Sequence, residues 1–359
     1  MGPNPIEACH FTHVRPHFRS EYRSENSPPR LAAGFLFVLE FEGNRGEIMS
    51  DASVLIVGSM ALDSVKTPTG EVKDTLGGAA DYSGVAASFF APVQLVGVVG
   101  DDFPKAHLDF LKSRGINLDG VQIVPGGKTF RWAGYYDFDL NQAHTLDTQL
   151  NVFADFKPSL PDSYKKAKYV FLANIDPTLQ LEVLMQVESP TLTVCDTMNF
   201  WIDGKRDALV EVLKRVDIAF MNDAEARQFT GELSVIKAAK VIMALGPKTV
   251  IIKKGEHGAL LFTGDRHFAA PSYPLEDIAD PTGAGDSFAG GFIGYVASQN
   301  DTSFATLRKA VIYGSVMASY NVEDFSLNRL RTLTDADIAA RYRAFQQIAY
   351  FEALDEAEA

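Results

Sequence analysis

Asp280-Pro281-Thr282-Gly283-Ala284-Gly285-Asp286-Ser287-Phe288 reads as a tight glycine turn running straight into a helix. Ala289, Phe292, Ile293 and Val296 follow at helical spacing, and Gly290, Gly291 and Gly294 would let that helix pack closely on a neighbour. In a helix that begins inside the motif, the amides of Gly283, Ala284 and Gly285 lack intrahelical partners and point at one spot, where the helix dipole also favours negative charge. Asp286 is out of place in a plain anion site, because a carboxylate repels phosphate. Its chemistry suits a base that takes a proton from an attacking hydroxyl. Amides for developing phosphate charge beside a carboxylate that activates an alcohol together describe phosphoryl transfer. The competing reading is that Asp286 caps the helix, since Asp is favoured there and glycines are common in turns. For an isolated Gly-x-Gly-Asp, capping would be preferred, and it is the longer string that shifts the balance.

That nine-residue string resembles the C-terminal signature of the ribokinase-like (PfkB) family of carbohydrate and nucleoside kinases. The resemblance implies an α/β fold, a three-layer α/β/α domain with a mostly parallel central sheet and a small β-sheet lid. It implies ATP and Mg2+ as cofactors, Asp286 as catalytic base and the amides from Gly283 through Ala284 and Gly285 to Asp286 as an oxyanion cradle. It also implies that the loop carrying Asp280 holds a monovalent cation, K+.

Composition agrees with a globular enzyme. At 359 residues and 46% hydrophobic, the chain can bury one large core, or a large core with a small appendage. A formal charge of −13 and a pI near 5.0 argue against a nucleic-acid surface, which needs clustered Lys and Arg. Any phosphate must therefore be gripped locally. The two cysteines, Cys9 and Cys195, lie far apart in different contexts, which suits a reducing cytoplasm and fits no metal-ligand spacing.

Residues 1–48 are rich in breakers, among them Pro16, Pro28, Pro29, Gly43 and Gly46, and lack a sustained period. Their apolar run over residues 31–39 is too short to span a bilayer and too far from the start for an ordinary signal peptide, so no membrane partner is expected. Met49-Ser50-Asp51 directly precedes the first strand, which puts the expected natural start at Met49 and makes residues 1–48 an irregular extension without catalytic role. The kinase domain is expected over residues 49–335, with a lid inserted at about residues 119–150, and a C-terminal helix and acidic tail over 336–359.

Val54-Leu55-Ile56-Val57-Gly58 is a continuous apolar run ended by glycine, the pattern of a buried parallel strand. It delivers Ser59 to Asp63 to the strand's carboxyl end, where open α/β sheets bind ligands, so Asp63 is a candidate to hold a polyol. A solvated loop acid is the plain alternative. The resemblance favours the first, since family members carry a sugar-gripping acid there. Leu76-Gly77-Gly78-Ala79-Ala80-Asp81-Tyr82-Ser83-Gly84 is similar to the family's Gly-Gly substrate loop, which makes Gly77, Gly78, Asp81 and Tyr82 candidate substrate contacts. Its glycine spacing is wrong for a dinucleotide fingerprint. Sugar kinases of the family carry Asn where Tyr82 stands, which leaves the substrate open: Tyr82 can stack on a base, fill a pocket or belong to the core.

Val93-Gln94-Leu95-Val96-Gly97-Val98-Val99-Gly100 is a second buried strand, followed by a helix over residues 104–114. Residues 120–124, 128–138 and 142–147 alternate with a period near two around Pro125-Gly126-Gly127, which predicts half-exposed hairpins. The family's lid is inserted at about this point. Arg131, Trp132, Tyr135 and Tyr136 either pack that lid on the main domain or, with Arg131 foremost, reach the substrate. An exposed lid edge strand would offer a pairing surface for a homodimer.

Strands at residues 169–174, 191–195 and 216–221 alternate with helices at 179–187 and 203–215, which specifies a parallel sheet flanked by helices. Asn222-Asp223-Ala224-Glu225 ends the last of these strands and is similar to the family's Asn-x-x-Glu element, which organises Mg2+ and phosphate through water. Asn222 and Glu225 also make a good helix capping box, and both readings can hold at once. Residues 249–262 read as two strands around a glycine turn. They resemble the family's nucleotide-side element, with Lys253, Gly255 and Gly258 beside the cofactor, and a plain hairpin is the alternative. The helix over residues 302–320 and Asn321 after it match the segment with which family members close the adenine pocket. The expected partner is a small sugar or nucleoside.

Overall fold

The computed structural model describes residues 52–140 and 142–351. The extension expected over residues 1–48 and the acidic tail at 352–359 lie outside them.

The apolar run after Ser53 forms β1 (Val54–Val57), and its side chains divide by the two-residue period of a strand. Val54 and Ile56 enter one hydrophobic cluster and Leu55 and Val57 the other, so the strand is buried on both faces. After β1 come β2 (Ala61–Thr67), β3 (Gly70–Gly77), α1 (Ala79–Ala87), β4 (Val93–Gly100), α2 (Lys105–Ser113), β5 (Ile116–Val124), β6 (Phe130–Tyr136) and β7 (Ala143–Gln149). The chain then alternates through β8 (Tyr169–Leu172), α3 (Pro177–Leu184), β9 (Leu192–Cys195), α4 (Asn199–Gly204), α5 (Arg206–Leu213), β10 (Ile218–Asn222), α6 (Asp223–Thr230), α7 (Val235–Met243) and β11 (Thr249–Lys253). It ends with β12 (Ala259–Thr263), β13 (Arg266–Ala270), α8 (Ala284–Gln299), α9 (Phe304–Asn321), α10 (Asn328–Thr332) and α11 (Asp335–Ile348).

Among the described residues, nine strands form one sheet in the order β13-β12-β11-β10-β9-β8-β1-β4-β5. It is parallel from β5 to β11, and the β12 and β13 hairpin strands join it antiparallel. Helices α1, α8, α9 and α11 contribute to the core on one face, and α3, α5, α6 and α7 to the core on the other, which makes three layers. Helices α1 and α8 touch backbone to backbone. A Cβ at Gly290 would fall 2.1 Å from the Ser83 carbonyl oxygen, and one at Gly294 would fall 2.8 Å from that of Ala87.

A second sheet has the order β3-β2-β6-β7. Half of it comes from residues 61–77, a stretch in which the sequence reading named no strand. Conversely, residues 120–124 are no hairpin of the lid: they complete β5, an edge strand that pairs in parallel with β4, Val96 opposite Gly120 and Gly100 opposite Val124. An edge strand with one covered face alternates like a hairpin strand, which explains the misreading. The helix expected over residues 203–215 is two helices broken at Lys205.

Candidate active site

The carboxyl ends of β9, β10 and β11 bring Asp196, Asn222 and Lys253 beside the N-terminus of α8, at the edge where an open α/β sheet offers its ligand crevice. Gly283 is the N-cap and sits at φ 75°, a left-handed conformation that an L residue adopts only with strain. The space is closed as well, since a Cβ there would lie 2.3 Å from Tyr82 Cδ1. The cradle is narrower than the motif suggests. Ala284 N–H turns back to the Pro281 carbonyl at 3.1 Å, while among the described residues the amides of Gly283 and Gly285 have no hydrogen-bond partner. Asp286 stands in the first turn beside them. Burial, with the Asp196 carboxylate adding to it, pushes the Asp286 carboxyl up to about 7 against the pull of Lys253 and its own amide.

The turn is braced from behind. Buried Asn321 donates from Nδ2 to the Thr282 carbonyl at 2.8 Å and accepts from Ser287 Oγ at 3.1 Å. Its side chain thus holds the turn, with both its amide groups engaged there. Asp280 is fully buried, and its two carboxylate oxygens accept from Thr282 N at 2.8 Å and Ser326 N at 3.3 Å. Burial raises its carboxyl above the ordinary range. Just before it, the Ala279 carbonyl accepts from Thr67 Oγ1 at 2.8 Å and Thr69 Oγ1 at 2.9 Å, which fastens the β2–β3 hairpin to the segment entering the motif.

On one side of the turn lies a charge cluster around Lys253. Its Nζ pairs with Asp196 Oδ2 at 2.5 Å, both groups being largely shielded from solvent, and a Cβ at Gly285 would lie 3.2 Å from that Nζ. Burial opposes the ammonium charge, but Asp196, Glu225 and Asp286 outweigh it and hold Lys253 above its usual range. The sequence reading missed Asp196. Its one signal was an acid directly after a buried strand, at the carboxyl end where ligands gather. Asn222 and Glu225 form a complete capping box at the start of α6: Glu225 N donates to Asn222 Oδ1 at 2.8 Å and Asn222 N to Glu225 Oε2 at 2.7 Å. Burial pushes Glu225 up to about 7, against Lys253. Gly255 opens a short exposed turn between β11 and β12, and Gly258 packs on the end of β13, where a Cβ would meet the Ala270 carbonyl oxygen at 2.1 Å.

On the other side stand the acceptor candidates. Asp63 lies within β2 rather than in a loop after β1, is buried, and rests on bare backbone: a Cβ at Gly77 would fall 2.0 Å from its Oδ2, and the Gly78 amide donates to it. Burial, with Asp280 and Asp286 adding to it, pushes Asp63 up to about 7. Asp81 is wholly buried in the first turn of α1, where the Ala61 amide acts on its carboxyl. Burial and then Asp63 hold its carboxyl well above the ordinary range. Tyr82 is 1% exposed, its ring under Gly283 and its hydroxyl without a partner, so it is core and cannot stack on a base. Tyr136 Oη reaches Thr282 Oγ1 at 3.3 Å and thereby touches the glycine turn from the small sheet.

Arg131 requires a correction. In the β2–β6 register Asp63 is opposite Trp132 and Arg131 opposite Leu62, so strand alternation puts Arg131 on the face away from Asp63. There it bridges Asp74 at 3.0 Å and Asp102 at 2.8 Å and ties the small sheet to the loop after β4. Among the described residues no three His, Cys, Asp or Glu side chains cluster to hold a metal ion, and no helix is long and apolar enough to cross a membrane.

The sequence pattern of pfkB family carbohydrate kinases matches residues 46–332. A cytidine kinase of Thermococcus kodakarensis is 36% identical over 249 residues, 67% of this chain and 87% of that protein. In structure, ribokinase from Giardia lamblia superposes with a TM-score of 0.69 at 21% identity, covering 82% of this chain and 99% of its own. A ribokinase-type protein from E. coli in complex with ATP and Mg2+ superposes with a TM-score of 0.68 at 18% identity, covering 81% and 99%. The glycine turn, the three-layer sheet and these likenesses agree: the chain belongs to the PfkB family of carbohydrate kinases, ATP-dependent phosphotransferases with an alcohol group as acceptor.

Proposed function

We propose that this protein transfers the γ-phosphoryl group of ATP to a primary hydroxymethyl of a sugar or sugar-containing small molecule. The observation that carries it is Asp286 standing at a helix N-terminus beside the two unpaired amides of Gly283 and Gly285. In this reading Asp286 takes the hydroxyl proton as the acceptor oxygen bonds to the γ-phosphorus. The bond from that phosphorus to the bridging oxygen breaks, and its electron pair leaves with ADP. The Gly283 and Gly285 amides meet the charge that develops on the transferring oxygens, and Lys253 lies on the same side to neutralise the nucleotide phosphates. Asp63, ionised, accepts from acceptor hydroxyls and turns the reactive one toward Asp286.

The donor set fits magnesium held through water: Glu225 keeps one carboxylate oxygen outside its capping bond, and the hard oxygen ligands of Asn222 and Glu225 suit an ion that retains several waters. When bound, that ion supplies positive charge to the phosphates. Asp280 fits K+, being buried with no basic side chain in ion-pair reach among the described residues. The similarity to a cytidine kinase favours a nucleoside as acceptor, with its ribose 5′-hydroxyl as the reacting group. An ADP-release assay with Mg2+, K+ and ATP across pentoses, hexoses and nucleosides tests the proposal. Turnover on at least one class, dependent on Asp286, is expected, and no turnover on any while ATP still binds would refute it.

A further inference from the structure

Asp196 is anchored from three sides. It follows β9 directly and is 2% exposed. Its carbonyl accepts from buried Gln180 Nε2 at 3.0 Å, and the same amide group donates to the Ala173 carbonyl at 3.0 Å, which ties the ends of β8 and β9 together. Thr197 N donates to Asp196 Oδ1 at 2.9 Å, and Oδ2 pairs with Lys253 Nζ at 2.5 Å. The lysine is the more open partner, with 17% of its side chain exposed against 3% for the acid. It runs along the glycine turn, where a Cβ at Gly285 would lie 3.2 Å from Nζ, 3.8 Å from Cε and 3.9 Å from Cδ. An ammonium has three N–H donors, and among the described residues Asp196 is the one hydrogen-bond partner of this one. The Gly285 amide beside it is unpartnered as well. Two sets of unpaired donors therefore meet at one residue.

From this geometry we infer that Asp196 is a positioning residue for phosphoryl transfer: it aims Lys253 at the γ-phosphoryl group of ATP, beside the Gly285 amide, and so gives the site a contact that ATP makes and ADP cannot. The inference deepens the kinase reading and rests on it, since in that reading the Gly285 amide meets the transferring oxygens. A lysine head on a flexible four-carbon stem loses rotamer freedom when a ligand orders it. Asp196, with both carboxylate oxygens engaged, orders it before the nucleotide arrives and leaves two N–H groups to donate. Burial opposes the ammonium charge, but Asp196, Glu225 and Asp286 outweigh it and keep it in place. The competing account is a structural pair in which Lys253 only neutralises a buried acid. Such a pair would treat ATP and ADP alike.

The test is the preference for triphosphate over diphosphate, read as the ratio of the dissociation constants of ADP and β,γ-imido-ATP by titration calorimetry of the full chain with Mg2+. In Lys253→Met the ratio should fall at least about 10-fold, equivalent to about 1.4 kcal/mol, through weaker binding of the triphosphate. Asp196→Glu keeps the charge and the pair but moves the ammonium by about one methylene, and should lower the ratio at least about 3-fold while ADP affinity changes less than about 2-fold. Asp196→Asn removes a negative charge, which by charge alone would favour the triphosphate, yet its ratio should also fall at least about 3-fold. Combined with Lys253→Met, Asp196→Asn should add nothing further, because Asp196 acts through the lysine. Thermal unfolding checks that each variant is folded, and Asp196→Glu, which retains the pair, carries the test where Asp196→Asn does not fold. A ratio within about 2-fold of wild type in Lys253→Met, or in Asp196→Glu, would overturn the inference and leave the kinase reading standing. Losses that add in the double variant would overturn it too. A wild-type protein that binds neither nucleotide would refute the kinase reading and this inference with it.

Discussion

Replacing Asp286 by Asn should inactivate the protein and stabilise it at the same time. The Asp286 carboxyl is pushed from 3.8 to about 7, chiefly by burial and then by Asp196. A carboxyl whose folded value exceeds its unfolded one contributes stability below the unfolded value. That contribution is withdrawn as pH rises through the folded value. Three units of displacement at 1.36 kcal/mol each set a ceiling of about 4 kcal/mol, and relaxation around the charge brings the expected gain in Asp286→Asn to about 2–4 kcal/mol at pH 8. At pH 4 and below wild type and variant should be equal within error. In kinetics, the loss of a general base lowers kcat by about 100- to 10,000-fold. Wild-type kcat should fall about tenfold per unit as pH drops below 7, because about a tenth of the carboxyl is ionised at pH 6. Thermal unfolding of both proteins at pH 4 and pH 8, ATP titration calorimetry, and ADP release from pH 5.5 to 8.5 together make the assay. An Asn variant with more than a tenth of wild-type turnover refutes the base assignment. One that is less stable than wild type at pH 8 refutes the electrostatic account.

Further predictions concern the surroundings of that base. Asp63→Asn should raise the acceptor KM by more than about tenfold with a smaller change in kcat, by removing an ionised acceptor of hydroxyl hydrogen bonds. In the wild type the same KM should rise as pH falls through about 7, where Asp63 takes up a proton; a KM flat from pH 6 to 8 would refute its role. Asp196→Ala leaves the shielded Lys253 ammonium without its 2.5 Å partner and should destabilise the fold by about 3–5 kcal/mol in urea, an effect that Lys253→Met in the same chain should partly reverse. Gly283→Ala combines a left-handed backbone with a clash on Tyr82 and should cost about 1–3 kcal/mol of stability together with most of the turnover; unchanged turnover would exclude the turn as a charge-holding element. Asn321→Ala frees Thr282 and Ser287 and should lower kcat while leaving the KM for ATP unchanged, whereas a raised KM for ATP would return Asn321 to the nucleotide site.

What was readable in the chain follows from the physics of each element. Strands β1 and β4 are buried on both faces, so they appear as unbroken apolar runs, and the glycine turn into α8 announces itself because its amides must be bare. The small sheet was half hidden. Strands β2 and β3 carry the exposed charges Lys66, Glu71, Lys73 and Asp74 and the buried Asp63, which together obscure a strand in sequence. Residues 120–124 deceived in the opposite direction, since an edge strand of a large sheet and a hairpin of a small one share the same alternation. Within the site, residue types were easier to read than partners. Asp286, Asp63, Glu225 and Lys253 stand around the turn, but nothing in the string tells that Ala284 N–H is taken by Pro281, that Asn321 faces the turn, or that Arg131 falls one register position off the Asp63 face. Asp196 escaped notice because its meaning depends on Lys253, 57 residues later.

The two threonine hydroxyls on the Ala279 carbonyl have a mechanical consequence. The β2–β3 hairpin cannot shift away from Ala279 without breaking those bonds or pulling on the segment that leads into Asp280 and the glycine turn. Displacement of the hairpin and displacement of that segment are therefore mechanically coupled, although 210 or more residues separate them in the chain.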